Sequence, residues 1–315
     1  MSDARTARQA HTVAMPSFTA RQHAHIAIVA TALAYAAALA TLARMPGGSV
    51  VEPLFALGVL GGAMPLLAWA FTRRPRPLPT TWTSSVRIAP TLLYLLAFSL
   101  LVLGWGFGAL KAQWPDEPMQ SVAELIVKLT TMAALPALLF LQEDRQRPRL
   151  ATSRLIATLV AMAAAFLVFQ AVFGRGLKTL GELAPSTATL LWAVPACLLW
   201  QIVEAGLCEE VLFRRLLQQR LADATRSNVA GVLWASLLFG LAHAPGLYLR
   251  GASLLEGVTQ PTPAWAMAYS IAIIAPTGIV FGVLWARTRS LWLIVVLHGI
   301  VDLLPQLSPF IHAWR

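Results

Sequence analysis

Two adjacent carboxylates, Glu209 and Glu210, lie at the end of the apolar run Leu190–Leu207, and Arg214 follows four residues after Glu210. An ionisable group at the edge of a hydrocarbon-soluble helix costs a few kcal/mol, so such residues are rare and usually serve a function. The glutamate pair is therefore the first candidate for a reactive site in this chain.

Two later apolar runs carry further groups of the same kind. Phe239–His243 lies on one of them, and His298–Asp302 lies on the last. Three hydrophobic segments thus each contribute side chains that are suited to acid–base or ligand chemistry. We interpret this pattern as a catalytic centre built inside a membrane.

The spacing within the first segment separates the roles of the two glutamates. Glu210 and Arg214 are four residues apart, in the order that favours an ion pair on a helix. This pair would neutralise Glu210 and fix that surface of the helix. Glu209 would then lie on a neighbouring face as the candidate reactive carboxylate.

The spacing within the other two segments is helical as well. Phe239 and His243 would share one helix face, so that the aromatic ring can pack under the imidazole. His298 and Asp302 would also share a face. There they could bind one metal ion, Asp302 could orient the His298 ring, or both could donate hydrogen bonds to a substrate oxygen.

A helical hairpin would bring Glu209 and His243 together. The segment Arg226–Asn228 has the composition of a turn followed by a helix cap, and both residues lie 17 positions from Arg226. Antiparallel helices with arms of equal length end at the same height, because each residue rises about 1.5 Å. His298 lies about 10 Å into the last span. We therefore expect Glu209, His243 and His298 to meet in the cytoplasmic half of the bilayer.

Two mechanisms fit these side chains. In the first, Glu209 takes a proton from water and passes it to a leaving amine while His243 holds the water; His298, and less obviously Asp302, stabilises the oxyanion. In the second, His243, His298 and a carboxylate from Glu209 or Asp302 bind a divalent metal such as zinc, which activates the water. We favour the metal-free mechanism, because no standard zinc-protease signature occurs. The sequence also has no GxSxG elbow for a serine nucleophile.

The composition is that of a membrane protein. Of the 315 residues, 57% are hydrophobic and 12% are charged, whereas about a quarter of the residues in soluble domains are charged. The net charge of +10 comes from clustered arginines, which we interpret as the topology signal of cytoplasmic loops rather than as a nucleic-acid site. Cys197 and Cys208 lie in or beside apolar helix, so no disulfide framework is expected.

Hydrophobic runs of about 20 residues predict the membrane spans. The candidates are 25–43, 53–71, 88–110, 122–141, 155–173, 187–209, 229–243, 265–286 and 291–307. The predicted fold class is an all-α polytopic membrane protein with eight or nine transmembrane helices and a catalytic bundle in the C-terminal half. The count stays open because the run 229–243 is short.

The arginines are concentrated in alternate loops. The four groups are Arg73, Arg74, Arg76 and Arg87; Arg145, Arg147, Arg149 and Arg154; Arg214, Arg215, Arg220 and Arg226; and Arg287 and Arg289. The positive-inside rule then places the N-terminus in the cytoplasm. We divide the chain into a cytoplasmic tail (1–24), transmembrane helices of unassigned role (25–173) and a catalytic core (187–307).

Charged residues inside the predicted spans are few in the first half of the chain. Glu124 and Lys128 are four residues apart and could neutralise each other on one helix. Glu204 lies five residues before Glu209 on a similar side of its helix, where it could support the site through a hydrogen bond.

Three motifs now stand in order on apolar segments. Glu209–Arg214 fits EExxxR, Phe239–His243 fits FxxxH, and His298–Asp302 fits HxxxN/D. In these motifs the chain resembles the CPBP (CAAX protease and bacteriocin-processing, or Abi) family of intramembrane endopeptidases, which contains the Ras-converting CAAX prenyl protease. The resemblance covers residues 187–307, and residues 1–150 match no family that we can name.

The resemblance implies hydrolysis of a peptide bond near the C-terminus or the leader of a substrate. It also implies that Glu209 activates water with His243, and that His298 and Asp302 form the oxyanion side. Members of the family are often labelled metalloproteases, although the architecture equally suits a glutamate-dependent mechanism. Asp302 stands where Asn is frequent, and an ionised Asp accepts hydrogen bonds but does not donate them.

The expected partners are membrane lipids and a protein or peptide substrate, which could be lipidated or carry a C-terminal anchor. We expect the protein in a bacterial cytoplasmic membrane. Two other function classes remain open: a non-proteolytic immunity or scaffold member of the same family, and a proton-coupled transporter. A transporter would string its ionisable groups through the full membrane depth, whereas the three motifs are expected to lie at one level.

Overall fold

A computed structural model describes residues 18–45, 49–73, 82, 87–140, 150–249 and 261–315, and every regular element of these residues is a helix. The helices are α1 (Ala20–Ala43), α2 (Val51–Phe71), α3 (Ala89–Gln113), α4 (Met119–Phe140), α5 (Thr152–Phe173), α6 (Gly176–Leu183), α7 (Thr187–Thr225), α8 (Asn228–Leu249), α9 (Pro263–Thr288) and α10 (Leu291–Trp314). Nine of them, all except the short α6, are long and apolar enough to cross a membrane. The all-α polytopic fold is thus confirmed, with the higher of the two predicted counts.

Apart from α7, the helix boundaries differ most from the apolar runs at three ends: α10 continues past residue 307 to Trp314, and the other two are the start of α1 and the end of α8. Helix α1 begins at Ala20 instead of residue 25, because Thr19 and Gln22 form a capping box at its start. Helix α8 continues past the predicted end at residue 243 to Leu249, with Pro245 inside it. Proline is tolerated within membrane helices when neighbouring groups compensate for the lost hydrogen bond.

The predicted turn between α7 and α8 is present. Helix α7 is 39 residues long and continues past the glutamates to Thr225, as the sequence indicates. Arg226 then adopts a left-handed conformation with φ of 51°. The Ser227 hydroxyl accepts a hydrogen bond from the Ala230 amide at 3.2 Å and caps α8. The chain therefore reverses at this point, and the second half of α7 packs against α8.

Helices α7, α8, α9 and α10 form the centre of the bundle. Helix α10 packs against α7, and α8 packs against α9. The N-terminal helices cover this centre from two sides: α3 and α4 share a hydrophobic cluster with α7 and α8, and α2 and α5 share another with α9 and α10. Cys197 and Cys208 are buried and do not form a disulfide, as expected.

Two glycines allow α7 and α10 to approach closely. A Cβ atom on Gly206 would collide with the carbonyl oxygen of Val295, and a Cβ atom on Gly299 would lie 2.7 Å from the backbone nitrogen of Ile202. Small residues that permit close backbone contact are a common feature of helix pairs in membranes. Gly206 precedes the glutamate pair and Gly299 follows His298, so this crossing sets the distance between the first and third motifs.

Arginines bind carbonyl groups at the end of the bundle where α2 and α4 finish. Arg287 donates to the hydroxyl of Thr72 at 2.7 Å and to its carbonyl at 3.0 Å. Arg220 donates to the carbonyl of Phe140 at 2.9 Å. Cations near helix C-termini complement both the unpaired carbonyls and the helix dipole. Of the four arginine groups, five members lie outside the described residues: Arg74, Arg76, Arg145, Arg147 and Arg149.

Candidate active site

Glu210 is the innermost acid of the cluster and bonds to two partners. Its Oε1 atom lies 2.7 Å from Nδ1 of His298, and its Oε2 atom lies 3.4 Å from Nε of Arg214. The side chains of Glu210 and Arg214 are both fully buried. The predicted pair with Arg214 is therefore present, but the sequence did not reveal that the same carboxylate also binds His298 of the third motif, on α10.

Contacts to one ring face and to both ring nitrogens hold His298 in place. Its ring stacks on Phe281 with centroids 4.8 Å apart and planes inclined by 21°. An ionised carboxylate can only accept, so Nδ1–H donates to Glu210. The opposite ring nitrogen, Nε2, lies 3.7 Å from Oε2 of Glu209 and 3.5 Å from Oδ2 of Asp302. One imidazole thus faces three carboxylates, from Glu209, Glu210 and Asp302.

His243 is oriented by its own helix. Its Nδ1 atom lies 2.7 Å from the carbonyl oxygen of Phe239, and a carbonyl only accepts, so Nδ1 carries the proton and Nε2 carries the lone pair of the neutral ring. The two rings pack edge to face with centroids 4.9 Å apart, as the shared helix face predicts. The imidazole is near enough to the Glu209 carboxylate to interact with it electrostatically, as the predicted hairpin requires.

Phe239 joins the second motif to the first. The guanidinium of Arg214 lies over its ring, 4.8 Å from the centroid, which is the geometry of a cation–π contact. The ring of Phe213 packs against its edge with centroids 5.0 Å apart. Phe239 itself is buried at 4% exposure. This phenylalanine therefore supports both the arginine of α7 and the histidine of α8.

Exposure separates the supporting groups from the groups that a substrate could reach. Glu210 and Arg214 have no exposed side-chain surface, and His298 has 7%. Glu209 has 13% and Asp302 has 30%. Since the two adjacent glutamates differ in this way, Glu209 is the one that can meet water and substrate.

Two further charged residues belong to this cluster. Lys128 of α4 forms an ion pair with Glu204 of α7, and their side chains are 16% and 18% exposed. The expected pairing of Lys128 with Glu124 is wrong, because Glu124 instead accepts a hydrogen bond from Gln120 at 2.9 Å. The sequence signal for the observed pair was a lysine on one apolar span and a glutamate on another.

The metal-dependent alternative stays a prediction of the sequence. Within the described ranges, no group of three or more His, Cys, Asp or Glu side chains has an arrangement that could hold a metal ion. A three-ligand zinc site needs nitrogen and oxygen donors about 2.0–2.2 Å from one point. The mechanism that we propose for this site uses its side chains alone.

Comparison with known proteins finds a family match for part of the C-terminal half of the chain. Residues 189–304 match the family model of the type II CAAX prenyl endopeptidases, Rce1-like. The match contains all three motifs and confirms the resemblance drawn from them. Neither the curated proteins nor the solved structures that were compared include a match to this chain.

Proposed function

We propose that this protein hydrolyses a peptide bond with water activated by Glu209. The proposal starts from the match of residues 189–304 to the Rce1-like type II CAAX prenyl endopeptidase family. The observation that carries the proposal is the difference between the two glutamates. Glu210 is fully buried, forms an ion pair with Arg214 and is hydrogen-bonded to His298, whereas Glu209 is partly exposed and lies 3.7 Å from Nε2 of His298.

Water activation would involve Glu209 and His243. With Nδ1 protonated, Nε2 of His243 can accept one hydrogen bond from a water molecule and orient its second proton towards Glu209. Glu209 takes that proton as the water oxygen forms a bond to the substrate carbonyl carbon. The electron pair of the carbonyl double bond moves to its oxygen, which becomes an oxyanion.

His298 would stabilise the oxyanion. Its Nδ1–H is already donated to the buried Glu210, so its Nε2–H, when the ring is doubly protonated, is the donor left for substrate. Asp302 lies beside Nε2 and, as an acceptor, favours this charged form of the ring. We assign Asp302 to orienting His298 rather than to donating to the substrate.

The tetrahedral intermediate would then collapse. The C–N bond breaks, the electron pair of the oxyanion reforms the carbonyl, and Glu209 gives its proton to the departing nitrogen. The products are a new carboxylic acid and a free amine, and Glu209 returns to its carboxylate form. The family name implies a substrate whose C-terminal cysteine carries a prenyl lipid, and the membrane setting suits such a substrate.

Clustering supports catalysis over a proton-coupled transporter. The ion pairs and hydrogen bonds of Glu204, Glu209, Glu210, His298 and Asp302 converge on one region where α4, α7 and α10 meet. A transporter pathway would distribute such groups along the membrane normal.

The test uses purified protein in liposomes and a peptide that ends in a prenylated cysteine followed by three residues, with the unprenylated peptide as a comparison. Mass spectrometry in H₂¹⁸O should find one ¹⁸O atom in the new carboxyl group. Glu209→Gln should reduce the rate by about 10²–10⁴-fold, the usual contribution of a general base. Glu182→Gln, at an exposed glutamate of α6, is the matched control and should retain full activity. Cleavage by Glu209→Gln at the wild-type rate would contradict the proposal.

A further inference from the structure

We infer that Lys128, on a helix outside the family-matched residues 189–304, is a positioning residue of this active site: it neutralises Glu204 and so leaves Glu209 as the acceptor for the water proton. Lys128 belongs to α4 and reaches Glu204 on α7 across the helix interface. The inference rests on the proposed function of Glu209.

The balance of charge shows why the lysine is needed. Four carboxylates gather here, on Glu204, Glu209, Glu210 and Asp302, and His298 lies among three of them. Arg214 pairs with Glu210, so it does not compensate Glu204. Within the described part of the chain, the ion-pair partner of Glu204 is Lys128.

Glu204 and Glu209 are linked through Lys128. The two glutamates are five positions apart on α7, and the charge of Lys128 acts on both. Without the lysine, Glu204 would be an uncompensated carboxylate in apolar surroundings, which must take up a proton or draw in water. Two neighbouring carboxylates that compete for one proton no longer behave as independent groups. Glu209 would then lose its role as the single acceptor.

The N-terminal helices hold Lys128 in place. Its ammonium group lies 6.0 Å from the ring centroid of Phe107 on α3. Val127 packs against the hydrophobic cluster that joins α3 and α4 to α7 and α8. The Tyr94 hydroxyl donates to the Thr131 carbonyl and fastens α4 to α3. The first half of the chain thus completes the site of the second half.

The experiment measures kcat and KM in the liposome assay for Lys128→Met, Glu204→Gln and the double variant. Lys128→Met should lower kcat by about tenfold or more, within the range of coupled neighbours, and leave KM unchanged because the lysine does not touch substrate. Glu204→Gln alone should also lower kcat, because the unpaired ammonium would then bind Glu209. The double variant should recover kcat to within about threefold of wild type.

Two further variants separate positioning from folding. Lys128→Arg keeps the charge and should retain most of the activity. Lys178→Met removes an equivalent lysine from the exposed pair with Glu182 on α6 and should change nothing. Rates are normalised to the folded fraction from size-exclusion chromatography and thermal unfolding.

The inference is overturned if Lys128→Met keeps the wild-type kcat, or if the double variant is no more active than Lys128→Met. Glu209→Gln in the same assay keeps the two proposals apart. If Glu209→Gln is inactive and Lys128→Met is fully active, only the positioning role of Lys128 is rejected. If Glu209→Gln is active, the proposed activation of water by Glu209 is rejected as well.

Discussion

At the scale of single residues, burial gives the two adjacent glutamates different chemistry. Glu210 has no exposed surface and its two oxygens face His298 and Arg214. Removing one partner of a buried ion pair leaves the other charge uncompensated, which costs more than removing both. Glu209, one position earlier, keeps an exposed edge and can exchange protons with water.

We predict that Glu210 and Arg214 are energetically coupled. Arg214→Met should destabilise the protein by about 3–5 kcal/mol, and the double variant with Glu210→Gln should lose less than the sum of the single variants by about 0.5–3 kcal/mol. Denaturant unfolding in detergent measures the cycle. The same cycle on the exposed pair Lys178–Glu182 should give less than about 1 kcal/mol. Additive losses at the buried pair would mean that the two residues do not interact.

We predict that Asp302→Asn remains active. The amide oxygen can still accept from Nε2 of His298, and the amide nitrogen adds a donor near the oxyanion. The rate should stay within about tenfold of wild type, since general acid–base groups are retained.

Metal removal tests whether Asp302 is instead a metal ligand. Chelation should leave the activity unchanged, and active protein should contain less than one equivalent of zinc. Loss of a divalent ion together with activity would contradict the metal-free mechanism. In that case Asp302→Asn should also bind the ion more weakly, because a charged ligand would have been replaced by a neutral one.

At the scale of helices, the crossing of α7 and α10 sets the geometry of the site. Gly206 and Gly299 let the two backbones touch. The acids of α7 follow Gly206 by three and four residues, and His298 of α10 directly precedes Gly299. The distance of 2.7 Å between His298 and Glu210 therefore depends on a contact that involves no charged group.

We predict that Gly206→Ala reduces both stability and activity. The added methyl group would meet the backbone carbonyl of Val295, which cannot rotate away, so the helices must separate. Overpacking of this kind typically costs about 1–3 kcal/mol. Gly58→Ala on α2, where an added Cβ has no neighbour within 4 Å, is the matched control. Equal thermal unfolding and equal rates for the two variants would show that the crossing tolerates a side chain.

At the scale of the whole molecule, the arginine pattern and the nine spanning helices predict one orientation. The turn at Arg226 should face the cytoplasm, and the segment around Glu117 between α3 and α4 should face the outside. Both residues are exposed, and the two native cysteines are buried, so background labelling should be low.

We predict that a membrane-impermeant maleimide labels Glu117→Cys in intact cells. Arg226→Cys should react only after the membrane has been permeabilised, because its loop lies inside. The reverse pattern would show that the protein is inserted with its N-terminus outside. Labelling of both positions in intact cells would point to a different number of spans before α7.

The sequence by itself determined the features that depend on local pattern. Apolar runs of sufficient length specify helices that cross a membrane, whatever their neighbours are. The spacing of Glu210 and Arg214, and of Phe239 and His243, specifies contacts on one helix, since residues four apart share a face. The turn at Arg226 follows from its composition, and three motifs in order predicted the resemblance that the match of residues 189–304 confirms.

The tertiary structure decided the contacts between helices. Local spacing favoured Glu124 as the partner of Lys128, but the packing of α4 against α7 pairs the lysine with Glu204. The bond between Glu210 and His298 joins residues 88 positions apart. Such pairs depend on how helices cross, and that is set by close packing at positions such as Gly206 and Gly299. No periodicity along a single helix encodes these crossings, because each one is a property of two surfaces.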